Sequence, residues 1–321
     1  MQLTVTSSPH IRGKDTTARM MRDVMIALMP TAAAGVFFYG LRALLVILTC
    51  VGAALAGEWL VQLMLRRQQT LFDGSAVVTG LLLAMTLPAS APYWLAAVGS
   101  LFAVAVMKGL CGGIGQNAFN PALAARALLL LVWPSYLTRY PMVGADMPLF
   151  GKVDVVSSAT PLHEMQMFTL PETSLWDMFI GNVGGCIGEV SALALLAGGI
   201  YLMVRRVIYP RIPLAYLGSM AVLTLIFFRG DQPFLWMLYS LLGGGVMLGA
   251  MFMATDYSTS PVNPKGKILY GEGCGTLTVF FRYTGIFTEC FTYAILLMNA
   301  AVWLIDELTP PRRFGTGKGV G

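Results

Sequence analysis

The sequence predicts an all-α integral membrane protein of about ten transmembrane helices, in two inverted five-helix repeats with broken or re-entrant segments. Three observations carry this reading. First, 56% of the 321 residues are hydrophobic and only 12% are charged. A soluble domain has about twice that charged share. Second, mean hydropathy is +0.70 and the apolar residues come in long runs. Third, the net charge of +5 is no single patch, because its basic residues fall in short clusters between the runs. That pattern is a signal of membrane orientation and not of nucleic-acid binding.

Residues 1–23 form a polar arm carrying Arg12, Lys14, Arg19 and Arg22. The arm has no short apolar core followed by a small-residue cleavage site, so it reads as a cytoplasmic segment and not a signal peptide. Ten apolar segments follow, near 24–40, 43–65, 76–91, 93–108, 118–135, 177–203, 213–229, 234–254, 270–284 and 287–305. The third, fourth and ninth are short for a simple span. They carry Gly80, Pro88, Pro92, Gly109, Gly271, Gly273 and Gly275, so breaks are expected there.

With the arm in the cytoplasm, alternation puts fifteen of the 21 basic residues on the cytoplasmic side. Only Arg42, Arg126, Arg139, Lys152, Arg229 and Arg282 fall elsewhere. The expected division is a first membrane half over 24–135, an outer-face periplasmic loop over 136–176, a second half over 177–305 and a cytoplasmic tail over 306–321. A weak repeat lays Thr79–Thr86 over Leu248–Thr255, with Gly80 on Gly249, Thr86 on Thr255 and Pro92 on Pro261. The two segments lie five spans apart and so cross in opposite directions, which predicts inverted halves with a site near their interface.

Cysteine and histidine restrict the cofactors. Cys50, Cys111, Cys186, Cys274 and Cys290 are odd in number and form no C-x-x-C. An iron–sulfur cluster takes four thiolates. His10 and His163 both lie in polar segments, which disfavours an intramembrane haem or a zinc site. No metal is expected. Charges within or beside apolar spans are expensive and mark partners or cavities. Glu58, Glu189 and Glu289 are candidates for an ion path, and Arg126 and Arg282 for polar contacts or packing. Asp73 and Asp256 stand at the expected cytoplasmic ends of the third and eighth spans. Asn120-Pro121-Ala122 reads as a helix start, with Asn as cap and Pro at the first position. The second Asn-Pro, at Asn263, is followed by Lys265, which argues against a paired water-channel turn.

The outer loop holds Asp154-Val155-Val156-Ser157-Ser158-Ala159-Thr160 before Pro161. From physics alone this is a hydroxyl-rich turn. It also resembles D-x-x-[ST]-G-A-T, on which flavin transferases attach FMN to the terminal threonine through a phosphoester. Asp154, Ser157, Ala159 and Thr160 match in place, and Ser158 stands where that pattern usually has glycine. Further stretches are Ser8-Pro9-His10, Phe72 to Gly80, Gly112 to Ala122 and Asp256 to Pro261. Together they make the chain similar to the RnfD proteins of Rnf complexes and, more distantly, to the NqrB proteins of sodium-pumping NADH:quinone reductases.

The resemblance implies a multi-pass subunit of the bacterial inner membrane. The complex would pass electrons between ferredoxin and NAD and couple this to ion translocation. It implies covalent FMN at Thr160, with Asp154, Ser157, Ser158 and Ala159 as the attachment context. A non-covalent riboflavin in the membrane part is a further implied cofactor, with Asp73, Asp256 and Arg126 as candidate contacts. Implied partners are the other Rnf proteins (RnfA, RnfB, RnfC, RnfE and RnfG), a flavin transferase and membrane lipid. The chain has no nicotinamide fingerprint of its own, so nicotinamide contacts fall to partners. An NqrB-type role in the reductase is one alternative. A solute channel or transporter on an inverted-repeat scaffold is the other.

Overall fold

The computed structural model describes residues 16–66, 70–110, 115–145, 147–151, 160–167, 169–229, 231–285 and 290–310. Among these the secondary structure is helical, and an isolated bridge pairs Pro88 with Cys186.

Thr16 caps the first helix, α1 (Thr17–Met64), accepting a hydrogen bond from the Arg19 amide. This 48-residue helix covers the first two expected spans. They are divided at Gly40, whose φ of 72° and ψ of −164° are open to glycine and strained for other residues. The two arms of α1 lie side by side and antiparallel. Met21 and Met25 of the first arm sit within 3.5 Å of where a Cβ on Gly74 would be. Glu58 of the second arm reaches the same level, because Lys108 bonds both Glu58 and Ser75. At the other end, Tyr39 donates to Gly185 O and Arg42 to Ala89 O, both at 3.1 Å. The bundle thus has a Thr16 end and an opposite end, where Thr160 lies.

The next helix, α2 (Ser75–Thr86), is apolar all round and mostly buried, as a core helix must be. Its 12 residues rise about 18 Å, well short of a bilayer core of about 30 Å. Beyond Thr86 the chain turns irregular, and its backbone finds partners in a second irregular stretch. Ile187 N–H donates to Leu87 O at 2.9 Å and Gly188 N–H to Met85 O at 2.7 Å. Pro92 opens α3 (Tyr93–Leu101), which continues as a π-type helix over Phe102–Leu110. Asn120 caps α4 (Pro121–Val132) by accepting from the amides of Ala122 and Leu123.

Three short helices follow at the Thr160 end: α5 (Pro134–Leu137), α6 (Pro161–Gln166) and α7 (Leu175–Ile180). The chain returns through α8 (Ala192–Val204) and α9 (Arg211–Ile226). A bent pair comes next, α10 (Pro233–Leu242) and α11 (Val246–Leu248), the latter running into a π-type turn over Gly249–Met253. The bend is 63°. The last helices, α12 (Pro264–Thr284) and α13 (Cys290–Leu308), form an antiparallel hairpin, with Gly273 against Met298 and Gly266 against Ile305.

By length and composition α1 and α13 each suffice to cross a membrane, and the bent pair makes a third span when taken as one. Five further apolar helices are shorter. Large apolar side chains face outward, Phe37 at 82% exposure and Trp303 at 74%, while the interior mixes Leu, Tyr270 and Phe291 with small residues and Met. The apolar exterior suits lipid as the surrounding medium.

The breaks differ from expectation in three places. The eighth segment, expected as one span over 234–254, is bent between α10 and α11. The sixth segment, expected as one span over 177–203, is helical only in α7 and α8. Gly181 (φ 122°), Gly184, Gly185 and Gly188 carry the chain between them in irregular form. The ninth, expected to be broken, is the continuous 21-residue α12. Its glycines serve packing instead. A Cβ on Gly275 would lie 2.1 Å from Ser219 Oγ, and one on Gly271 2.7 Å from Ala215 Cβ, so glycine lets α12 press against α9.

Candidate functional site

Two clefts stand at opposite ends of the bundle. The first lies beside Thr160. Thr160 is half-buried in extended conformation and caps α6, its Oγ1 accepting from His163 N–H at 3.3 Å. That bond uses the hydroxyl as acceptor. Asp154, Ser157, Ser158 and Ala159 lie outside the described residues. The cleft is small and partly open to solvent, and Gly184, Gly185, Gly243 and Gly244 supply much of its wall. Glu189 also lines it, and Cys186 N–H donates to Glu189 Oε2 at 3.4 Å.

The second cleft, about 830 Å3 and open to solvent, lies at the Thr16 end between the two halves of the chain. Met20, Met21, Leu202 and Phe252 give it apolar surface. Ser75, Lys108, Asn117, Asn120 and Asp256 give it polar groups. Apolar walls with a few convergent polar groups are the usual form of a small-molecule site.

The polar groups are built from distant parts of the chain. Lys108 lies near the end of the π-type helix and is buried with Glu58, Nζ to Oε1 at 2.6 Å. The same Nζ donates to Ser75 Oγ, which in turn donates to Asp73 Oδ1, both at 2.5 Å. Asp73 also accepts from Ser75 N–H at 2.8 Å, so it orients Ser75 at the start of α2 and does not itself line the cleft. Asn120 Nδ2 donates to Met253 O at 3.2 Å, joining the start of α4 to the end of the π-type turn. Asp256 lies in the turn beyond the helices and accepts from Ser258 Oγ at 3.0 Å and Thr259 Oγ1 at 3.3 Å. Burial pushes its carboxyl up from the ordinary value, against these bonds, which favour the ionised form.

The structure therefore brings Asp73, Asp256 and Glu58 to one end of the bundle. It sets Glu189 at the other, and Glu289 lies outside the described residues. Arg126 is completely buried on α4, its Nη2 3.4 Å from Cys186 Sγ, and it lines neither cleft. The three glutamates expected on one ion path do not meet among the described residues. The sequence places Lys108 only among the cytoplasmic charges, and it marks neither Ser75 nor Asn117 as a site residue. Lys108 is detectable in principle as a lysine closing an apolar run, but its partner stands 50 residues earlier.

Similarity to known proteins runs the length of the chain. Over 323 residues it is 47% identical to the D subunit of the Na(+)-translocating ferredoxin:NAD(+) oxidoreductase complex of Acetobacterium woodii, covering 99% of this chain and 97% of that one. It is 40% identical to the D subunit of the proton-translocating ferredoxin:NAD(+) oxidoreductase complex of Clostridium ljungdahlii, covering 98% and 96%. With the D subunit of the ion-translocating oxidoreductase complex of Stutzerimonas stutzeri the identity is 39%, covering 92% of each. The model of the NQR2, RnfD, RnfE family matches residues 4–315, and the chain belongs to that family.

Proposed function

We propose that this chain is the D-type membrane component of a ferredoxin:NAD+ oxidoreductase complex of the Rnf kind, which carries FMN on Thr160 and couples electron transfer to ion translocation. The observation that carries the reading is the full-length similarity to relatives whose names give them that place in such complexes. Thr160 fits the attachment, since it is half-buried beside a cleft walled by glycines. A flavin bound there would take up and release electrons. The chain's own part is to tether, orient and shield it. Thr160 holds the phosphoester, and the walls at Gly184–Gly185 and Gly243–Gly244 approach from two sides.

The cleft at the Thr16 end is the seat for a non-covalent riboflavin. Asn117, Asn120, Ser75 and Lys108 offer hydrogen bonds there, and Met20, Met21 and Phe252 offer apolar surface. In this reading the Thr16 end faces the cytoplasm of the bacterial cell and the Thr160 end faces outward, with the other Rnf proteins completing the electron path. Relatives with sodium and with proton in their names both align along nearly the whole chain, so the coupling ion is a matter of local site chemistry.

The test is flavin fluorescence of the denatured, gel-separated chain after expression with a flavin transferase, beside Thr160→Ala. Fluorescence in the parent and none in the variant is expected. No fluorescence in the parent, with the transferase active on a known acceptor, overturns the attachment.

A further inference from the structure

Two ionisable side chains stand at the cleft beside Thr160, Glu189 lining it and Arg282 behind its Gly243–Gly244 wall. On one side, Arg282 of α12 reaches the break between α10 and α11. Its Nη1 donates to Ser240 O at 2.5 Å and its Nη2 to Gly243 O at 2.7 Å, while its Nε is buried without a hydrogen bond. The guanidinium lines a neighbouring cleft and stands directly behind Gly244 of this one. A Cβ on Gly244, whose φ is +70°, would sit 2.5 Å from Arg282 Nη2 and 2.9 Å from Leu162 Cδ2, two residues beyond Thr160. On the other side, Glu189 lines the cleft directly, and a Cβ on Gly185 would sit 3.3 Å from its Oε2. The side chains that would separate these charges from a ligand are thus missing from both walls.

We infer that Arg282 and Glu189 are positioning residues that set the reduction potential of the flavin on Thr160, and that they do so in opposite directions. The inference rests on the reading that Thr160 carries FMN. The physics is that of a charge beside a group that becomes more negative on reduction. A fixed positive charge favours the reduced form and a fixed negative charge disfavours it. In a site sheltered from water both effects exceed their value in bulk solvent. Arg suits its task because its fork holds two carbonyls at once and its charge is permanent. It also caps the last turn of α10, where free carbonyls collect partial negative charge. One side chain therefore fixes the shape of the cleft wall and its electrostatics.

The experiment is a spectroelectrochemical titration of the Thr160-bound flavin in the full chain, purified in detergent after expression with a flavin transferase. Arg282→Gln, Arg282→Lys and Glu189→Gln are compared with the parent, each first shown to carry covalent flavin in the gel. The midpoint should move to more negative values in Arg282→Gln and to more positive values in Glu189→Gln. It should stay close to the parent in Arg282→Lys, which keeps the charge. If Arg282→Gln fails to fold, Glu189→Gln and Arg282→Lys still carry the test. Unchanged midpoints, or shifts of one sign in both glutamine variants, overturn the inference while leaving the attachment intact. A parent chain without bound flavin overturns the attachment reading and this inference with it.

Discussion

Replacing Lys108 by Met tests the buried network at the Thr16 end most directly. The side chains of Lys108 and Glu58 are each 5% exposed, and their charged atoms stand 2.6 Å apart. Without the ammonium, Glu58 Oε1 keeps only a 3.4 Å contact from Thr70 Oγ1, and Glu58 Oε2 has no partner to begin with. Ser75 Oγ loses a donor as well. Removing one member of such a pair leaves a buried, uncompensated charge, which costs about 3–5 kcal/mol. For a chain of this length that corresponds to a fall in Tm on the order of 5 °C. Replacing both members, in Glu58→Gln with Lys108→Met, removes the stranded charge and should recover most of the loss. The assay is thermal unfolding in detergent, followed by the fraction that remains monodisperse on size exclusion. If the double variant loses as much as Lys108→Met alone, the two charges are not coupled and the argument from burial fails.

Three further outcomes follow from the geometry. Gly275→Ala places a methyl 2.1 Å from Ser219 Oγ and 2.6 Å from Tyr216 O, so stability should fall by about 1–3 kcal/mol although Ala is the better helix former; the same unfolding assay reads it. Asn120→Ala removes both the cap of α4 and the donor to Met253 O and should cost about 1–2 kcal/mol, whereas Asn120→Asp keeps the cap and loses only the donor. Equal losses in the two would show that the cap contributes nothing. Thr160→Ser keeps the hydroxyl and the helix cap, so the in-gel flavin signal should persist there and disappear in Thr160→Ala.

Much of this architecture was legible because hydropathy and capping are local. The apolar runs located the helices, and Asn120-Pro121 starts a helix as its residue types dictate; Thr160-Pro161 also starts one, although its residue types read as a turn. The turn between the first two spans lies where expected, at Gly40. Glycine was the ambiguous residue. Inside an apolar window, Gly181 to Gly188 look the same as Gly271 to Gly275. Yet the first group leaves the helix, with Gly181 at φ 122°, and the second stays in it to pack against α9. What separates them is the surface opposite, which lies in another part of the chain. The cleft at the Thr16 end was illegible for the same reason. Lys108 finds Glu58 at a separation of 50 residues and Asn120 finds Met253 at 133. The hydroxyl-rich string before Pro161 was legible only by resemblance, since its residue types alone describe an ordinary turn.

The two irregular stretches that complete each other's backbone bear on how the chain is made. The carbonyls of Met85 and Leu87 are served by the amides of Gly188 and Ile187, about 100 residues later in synthesis. Until those residues emerge, the open end of α2 holds polar groups that hydrocarbon cannot satisfy. The first five segments by themselves therefore leave an unfinished edge, which the sixth closes. A polypeptide cut after residue 135 would be a membrane-inserted fragment with a standing demand for its other half. Supplying the two pieces as separate chains should restore the pairing, because the completing contacts are made through the backbone and need no covalent link between them.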